Sequence, residues 1–306
     1  MDVTKSLDLG TLFSAKDLVI AITGGGTGIG LAFASVLAKT GAKKVYILGR
    51  RKDVLVKAVE TIGTDNVVPI VCDVTNPFTV TSAVQQIEKE VGYLDVLVNN
   101  AGVSGPDNRP MYSANSIHEL QESMLAQWPG WANTLSINTS SVVLVSGQFL
   151  HLLDAGNAKR GWESGKLEFG GRPRSRKDVE GIDKDDLRTS QIITVASIAA
   201  YNRYITAGLA YGASKAGAVS IGKALTSILG PWGIRSNVIC PGIFPSEMTA
   251  GTAPEFPYDK VPAGRQGTYD EIAGTILGLV GRSGAYFNGQ VTVVDGGRLS
   301  QMPATY

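Results

Sequence analysis

Leu18-Val19-Ile20-Ala21-Ile22-Thr23-Gly24-Gly25-Gly26-Thr27-Gly28-Ile29-Gly30 sets the pattern of the chain: an apolar run, a glycine-rich turn, then the helical stretch Leu31 to Lys39. Strand, turn and helix in that order make the first half of a βαβ unit. Glycines admit positive φ and let the backbone approach a bound group closely, while the unpaired amides at a helix N-terminus attract an anion. The stretch therefore reads as a pyrophosphate-binding turn, with Gly24, Thr27, Gly28, Ile29 and Gly30 as its contacts. Its spacing is Gly-x-x-x-Gly-x-Gly rather than the commoner Gly-x-Gly-x-x-Gly.

Working outward, Leu18–Thr23 is the first of seven short β-rich runs. The others are Val45–Leu48, Val67–Cys72, Val96–Val98, Ile192–Val195, Ser236–Ile239 and Val291–Val294. They are nearly continuous apolar segments separated by helical patterns, as expected when helices cover both faces of a parallel sheet. The fold class is α/β, a doubly wound seven-stranded parallel sheet, formed by residues 1–306 as a single domain. Two segments break the alternation, at about 103–129 and 154–190. The first follows the fourth strand and carries Met111, Tyr112, Met124, Leu125 and Trp128; long loops past a strand's carboxyl end are where ligands bind. The second holds 9 Lys/Arg and 8 Asp/Glu and reads as a mobile or surface-bound arm, with a docking site as the alternative.

Composition narrows the function. The 306 residues carry 28 basic and 27 acidic side chains, net charge +1, which gives no bulk reason to seek nucleic acid or an anionic membrane. Two cysteines, Cys72 and Cys240, are too few for a disulfide framework and form no zinc-ligand pattern with His118 or His151, so no metal is expected. Both thiols read as buried core, His118 as surface and His151 as core. Met1–Asp17 lacks the charge and apolar pattern of a secretory signal, no apolar run is long enough to span a bilayer, and the C-terminal residues match no targeting tag, which together point to the cytosol.

A dinucleotide site requires a group for the adenosine ribose about 20 residues past the glycine turn, at the end of the second strand. The residues there are Gly49-Arg50-Arg51. The acid that would hold a 2′-hydroxyl is missing, and guanidinium suits a 2′-phosphate by charge and bidentate geometry, so Arg50 and Arg51 point to NADP(H). Asp73 and Val74, past the third strand, stand where adenine would lie. Farther along, Tyr211-Gly212-Ala213-Ser214-Lys215 opens a helical run, placing Tyr211 and Lys215 on one face. A nearby ammonium lowers a phenol's pKa, making the pair a credible acid/base centre. Ser197, fourteen positions earlier and just past the fifth strand, can hold a substrate oxygen beside that phenol.

Together these residues resemble the classical short-chain dehydrogenase/reductase family, in particular a fungal subgroup, over about Leu18 to Gly297. Thr23–Gly30 is similar to its glycine motif, Asn99-Asn100-Ala101-Gly102 to its motif after the fourth strand, Asn138 to its helix asparagine, Ser197 to its serine, and Tyr211 with Lys215 to its active pair. Pro241-Gly242 resembles the turn beside the nicotinamide, and Asp295-Gly296-Gly297 the closing motif. The resemblance implies a Rossmann fold and hydride transfer between nicotinamide and a carbonyl or carbinol carbon. It makes Tyr211 the general acid in reduction, Ser197 the group that orients the carbonyl, Lys215 the residue that lowers the Tyr211 pKa and holds the nicotinamide ribose, and Asn138 the holder of a proton-relay water. It also implies cofactor contacts at Asn100, Ala101, Gly102, Pro241, Gly242, Ile243 and Ser246, with Thr249 as rival to Ser246, and assembly as a homodimer or homotetramer. The turn after the serine, where the family commonly bears glycine, reads Ala199-Ala200-Tyr201-Asn202, and Tyr201 and Tyr204 are candidate walls of the substrate pocket, with ordinary packing as the alternative.

The leading expectation is an NADPH-dependent reductase of a ketone, or oxidase of the matching secondary alcohol, on a fairly large apolar small molecule such as a secondary metabolite. The alternatives are a non-redox isomerase or cyclase on the same scaffold, and a cofactor-sensing interaction protein docking through residues 154–190.

Overall fold

Seven parallel strands lie side by side in the order β3-β2-β1-β4-β5-β6-β7 in the computed structural model, which describes residues 8–305. They are β1 (Val19–Thr23), β2 (Lys44–Gly49), β3 (Val67–Val71), β4 (Val96–Asn99), β5 (Gln191–Val195), β6 (Arg235–Pro241) and β7 (Val291–Val294). Helices α1 (Leu9–Leu12), α2 (Gly28–Lys39), α3 (Lys52–Ile62), α4 (Pro77–Glu90), α5 (Ile117–Leu125), α6 (Gly130–Leu135), α7 (Ser141–Lys159), α8 (Leu209–Leu229), α9 (Tyr269–Val280) and α10 (Arg298–Gln301) accompany them. Residues 1–7 of the stretch read above as lacking a secretory signal, and the final Tyr306, lie outside the described residues. No helix among those described is long and apolar enough to cross a membrane.

The pleat divides the strand side chains between two layers. Ile20, Ile22, Val45, Ile47, Val96, Val98 and Ile193 pack with Phe33 and Leu37 of α2, Leu55 of α3, and Ile272 and Ile276 of α9. The intervening residues Val19, Ala21, Tyr46, Leu48, Leu97 and Ile192 pack with Val80, Val84 and Ile87 of α4 and with Phe149 and Leu152 of α7. Near β6, Val238 and Cys240 pack with Ala218 and Val219 of α8. Every residue of the central strands β1, β4, β5 and β6 is buried, which is why those strands read as continuous apolar runs. In register, Ile22 of β1 stands opposite Ile47 of β2 on one side and Val98 of β4 on the other. The chain order reverses between β1 and β4, and the crevice at their carboxyl ends is the ligand-binding point of such sheets.

The two irregular segments differ from their reading as loops. The first contains helix α5, capped by Ser116 accepting from Glu119 N, so it is partly helical where a long connection was expected. The second begins inside helix α7, which runs to Lys159, and its remainder is tied down by charge rather than by apolar burial. Arg160 pairs with Asp95 at 2.8 Å and Asp186 at 3.1 Å, and Arg188 pairs with Asp186 at 2.7 Å, all four side chains being buried. Burial alone would raise the Asp186 pKa, but the Arg188 hydrogen bond and the charges of Arg188 and Arg160 outweigh it and hold the carboxyl down to about 2. Farther out, Arg174 donates to the carbonyls of Gly165 and Pro231, and Arg176 stacks 5.5 Å from the Trp162 ring. Asp95 precedes β4 and Ser190 precedes β5, so this arm is fastened at the amino ends of the strands, opposite the crevice. His151, expected in the core, is exposed on α7 with Nε2 3.5 Å from Glu88, because the helix turns that position away from the sheet. His118 is exposed, and Cys72 and Cys240 are free, buried thiols.

Candidate active site

The glycine turn is braced from three sides. Thr23 Oγ1, at the end of β1, accepts from the amides of Asn100 at 2.9 Å and Ala101 at 3.1 Å, tying the ends of β1 and β4 together. The Asn100 side chain donates back to the carbonyls of Thr23 and Gly24. Gly24 and Gly28 have φ of +65° and +53°, where side chains are strained. A Cβ on Gly30 would stand 2.3 Å from Gly24 O, so the first turn of α2 can lie against the strand end only as glycine. Thr27, the N-cap of α2, makes no side-chain cap bond, leaving the first amides of the helix free to receive an anion. Bare backbone, open amides and a close-packed floor fit the diphosphate of a dinucleotide.

At the adenosine end, Arg50 and Arg51 follow β2 and are exposed. The structure draws them apart: Arg51 donates from Nη2 to both carboxylate oxygens of Glu247, at 3.1 and 2.9 Å. Asp73 already accepts from the amide and hydroxyl of Thr75, at 2.9 and 2.7 Å, and the Thr75 amide with the neighbouring Arg50 keeps its pKa low. Val74 beside it is buried. On the far side of the turn, Gly242 packs so closely on Asp295 that a Cβ would sit 2.7 Å from its Cα. Ile243 O accepts from Gly267 N, and Ser246 Oγ lies 3.0 Å from Thr249 Oγ1, so the two rival hydroxyls form one turn. Ser246 also lies across the glycine turn, 3.1 Å from where a Gly28 Cβ would be.

The reactive group stands beside it at the ends of β5 and β6. Ser197 starts a short turn after β5, its Oγ accepting from Ala199 N at 3.1 Å, and its hydroxyl stands near enough to Tyr211, the third residue of α8, to lower that phenol's pKa. Lys215, one helical turn on, donates from Nζ to Val195 O at 2.9 Å and lies 5.9 Å from the Tyr211 ring centre. Tyr211, Lys215 and Ser197 are all buried. Burial pushes the Tyr211 pKa up, against a smaller lowering by Ser197, and pulls Lys215 down to about 8. Within the protein alone desolvation outweighs the lowering by Ser197, and the Lys215 ammonium is held on the Val195 carbonyl.

Asn138 sits in a π-helical turn, Ser136–Ser140, between α6 and α7; such turns recur at functional sites. Its Oδ1 accepts from Val103 N and its Nδ2 donates to Val103 O and Ser214 Oγ, each at 2.9 Å. A Cβ on Gly102 would lie 3.2 Å from Asn138 Oδ1 and 3.3 Å from Lys215 Nζ, so Gly102, Asn138 and Lys215 share one small space.

Three contributors have partners that the sequence does not reveal. Asn108, fully buried, accepts from Leu209 N at 3.1 Å and donates to Ser123 O, capping the otherwise uncapped α8 two residues before Tyr211 while holding the end of α5. Tyr112 stacks on Tyr204, ring centres 4.5 Å apart at 11°, and its hydroxyl accepts from Ile205 N. Glu247 is the third. Asn108 and Tyr112, on either side of Pro110, carry no signal of a partner some hundred residues away. Tyr204 and Met248 are exposed and Tyr201 is half-buried, its carbonyl accepting from Thr305 N. Among the described residues no cluster of His, Cys, Asp or Glu could hold a metal ion.

A parallel sheet with this switch point, a glycine turn under α2 and a Ser-Tyr-Lys set beside it define a nicotinamide-dependent oxidoreductase of the doubly wound class. Residues 18–161 match the family described as short chain dehydrogenase, and residues 183–298 that described as Enoyl-(Acyl carrier protein) reductase. The chain is similar to the fungal short-chain dehydrogenase/reductase PhomF of Diaporthe leptostromiformis, 38% identical over 99% of both chains. It is also similar to VdtF, a protein of the same description from Byssochlamys spectabilis, 36% identical over 99% of both. Among solved structures it resembles the Pseudomonas aeruginosa RhlG/NADP active-site complex, with a TM-score of 0.73, 26% identity, and 94% and 99% of the two chains covered. The chain belongs to the short-chain dehydrogenase/reductase family, and its fungal likeness agrees with the subgroup resemblance in its sequence.

Proposed function

We propose that the protein is an NADPH-dependent ketone reductase acting on a fairly large, apolar small molecule, and that Ser197, Tyr211, Lys215 and Asn138 carry the reaction. The burial of Ser197, Tyr211 and Lys215 in one corner beside the glycine turn, with Lys215 Nζ 2.9 Å from Val195 O and 5.9 Å from the Tyr211 ring centre, is the observation that carries this reading. When bound, the reduced nicotinamide supplies the hydride. The Gly24–Gly30 turn and the open amides of α2 would hold its diphosphate, Arg50 the 2′-phosphate, Asp73 and Val74 the adenine side. Asn100, Ala101 and Gly102, with Pro241, Gly242, Ile243 and Ser246, would line its nicotinamide half.

Ser197 and Tyr211 present two hydroxyls to one point, where a substrate carbonyl oxygen gains charge as it is reduced. Tyr211, kept protonated by burial, donates its proton to that oxygen. Lys215 stabilises the phenolate left behind. The Asn138 side chain is fully engaged, so its part is to fix Val103 and Ser214, and through Ser214 the Tyr211 carbonyl, at 2.8 Å; a relay water would meet its backbone rather than its amide. The RhlG complex with NADP supports the phosphorylated cofactor by analogy. The apolar character of the substrate is supported by the half-exposed Tyr112, Tyr204, Met124 and Met248 on the segments past β4, β5 and β6. The buried free thiols favour a reducing, cytosolic setting, and homo-oligomeric assembly follows the family by analogy only. The charged arm lies at the other end of the sheet from Tyr211, which weighs against its taking part in the chemistry.

Tyr211→Phe tests the mechanism. Ketone reduction is expected to disappear while NADPH affinity is nearly unchanged; substantial residual turnover would overturn it.

A further inference from the structure

Arg51 caps the start of α3, just past the strand that ends at the adenosine side, and Glu247 lies on the turn that Ser246 begins above the glycine turn. Their separation of 196 positions in the chain is bridged by one guanidinium nitrogen, Arg51 Nη2, in contact with both oxygens of Glu247. More than half of each side chain is exposed, 56% and 62%, so the pair stands at the solvent rim. Arg50, one residue earlier, makes no ion pair among the described residues, and its positive charge reaches Asp73. Two adjacent guanidiniums at the rim are thus in different states: one unclaimed by a carboxylate, one neutralised.

We propose that Glu247 is a specificity-determining residue, which occupies Arg51 and sets a carboxylate near the ribose 2′ position, so that Arg50 alone discriminates a 2′-phosphorylated dinucleotide from its 2′-hydroxyl counterpart. This rests on the NADPH reading above and adds to it the residue that limits the preference. A free Arg51 would add a second fork to the phosphate site, and loss of the Glu247 charge would remove a repulsion from it. The 2′-hydroxyl form gains from neither change.

Glu247→Gln keeps the size of the side chain and an acceptor oxygen while removing its charge. Exposed pairs are worth about 0.2–1 kcal/mol, so the ratio of NADPH to NADH affinity is expected to rise by about 1.4- to fivefold. The wild type, Glu247→Gln, Arg51→Ala and the double variant would be titrated with both cofactors at one low ionic strength, following reduced-cofactor fluorescence. In the Arg51→Ala background the gain from Glu247→Gln is expected to shrink. An unchanged or lower ratio in Glu247→Gln, or an equal gain without Arg51, would overturn the proposal. Arg50→Ala separates the two ideas: its failure to lower the NADPH preference would overturn the Arg50 reading, whereas the Glu247 effect is read as a change from wild type whichever cofactor the wild type prefers.

Discussion

Gly30→Ala is the sharpest steric probe of the dinucleotide site. The added Cβ would meet Gly24 O at 2.3 Å and Asn100 Nδ2 at 2.5 Å. Neither contact is relieved by a flexible side chain, since the first is backbone and Asn100 is tied by hydrogen bonds to the carbonyls of Thr23 and Gly24. Either the turn or the first coil of α2 must move. Alanine in place of glycine inside a helix ordinarily gains about 0.5–1 kcal/mol, whereas overpacking costs about 1–3 kcal/mol. The net loss is about 1 kcal/mol or more, and because it falls on the geometry that receives the diphosphate, affinity should drop by about tenfold. NADPH and NADH share that diphosphate, so both should weaken by the same factor in a fluorescence titration. Gly147→Ala in α7 and Gly278→Ala in α9 serve as controls, since a Cβ at either meets nothing within 4 Å; both should bind cofactor like the wild type. A Gly30→Ala protein that binds as the wild type does, or loses NADPH alone, would refute the diphosphate reading.

Other expectations follow from the same geometry. The rate of reduction should hold through neutral pH and decline as pH rises through about 8, because Lys215 there loses the charge that stabilises the Tyr211 phenolate while burial keeps Tyr211 itself protonated; a rate rising from pH 8 to 9 would contradict this order. Asn108→Ala removes the cap of α8 and should cost about 1 kcal/mol of stability, with a lower kcat and unchanged cofactor affinity in steady-state and binding assays. Asp186→Ala leaves Arg160 and Arg188 short of a buried partner and should cost about 3 kcal/mol or more in urea unfolding, without altering kcat, since the arm lies away from the crevice. Because the Asp186 pKa is lowered to about 2, the stability this carboxylate confers is present above the ordinary carboxyl pKa and is lost as pH falls through about 2.

Much of this was legible in the chain for a physical reason: strands buried on both faces leave unbroken apolar runs, and a backbone that must touch phosphate leaves glycines. The strand ends were less legible. β6 reaches from Arg235 to Pro241, beyond the apolar run, because Arg235 is satisfied by the carbonyls of Gly284, Phe287 and Thr189, and Gly242 N still bonds Val294 O across to β7. Helix α5 was hidden in a segment whose apolar residues, Ile117, Met124 and Leu125, stay exposed, so no buried stripe marked it. The arm after α7 owes its order to Asp95, Arg160, Asp186 and Arg188, a set that composition reads only as charge. The Arg51–Glu247 pair and the Asn108 cap join residues distant in sequence, and the Tyr211 pKa depends on burial; none of these is written in local spacing.

The most direct test of the reductase reading is a titration of the wild-type protein with NADPH and, separately, NADH at one fixed ionic strength, read by reduced-cofactor fluorescence. Tighter binding of NADPH is the expected result and would support the glycine turn and Arg50 together. Tighter binding of NADH would contradict the NADPH assignment, and binding of neither would contradict the dinucleotide site itself.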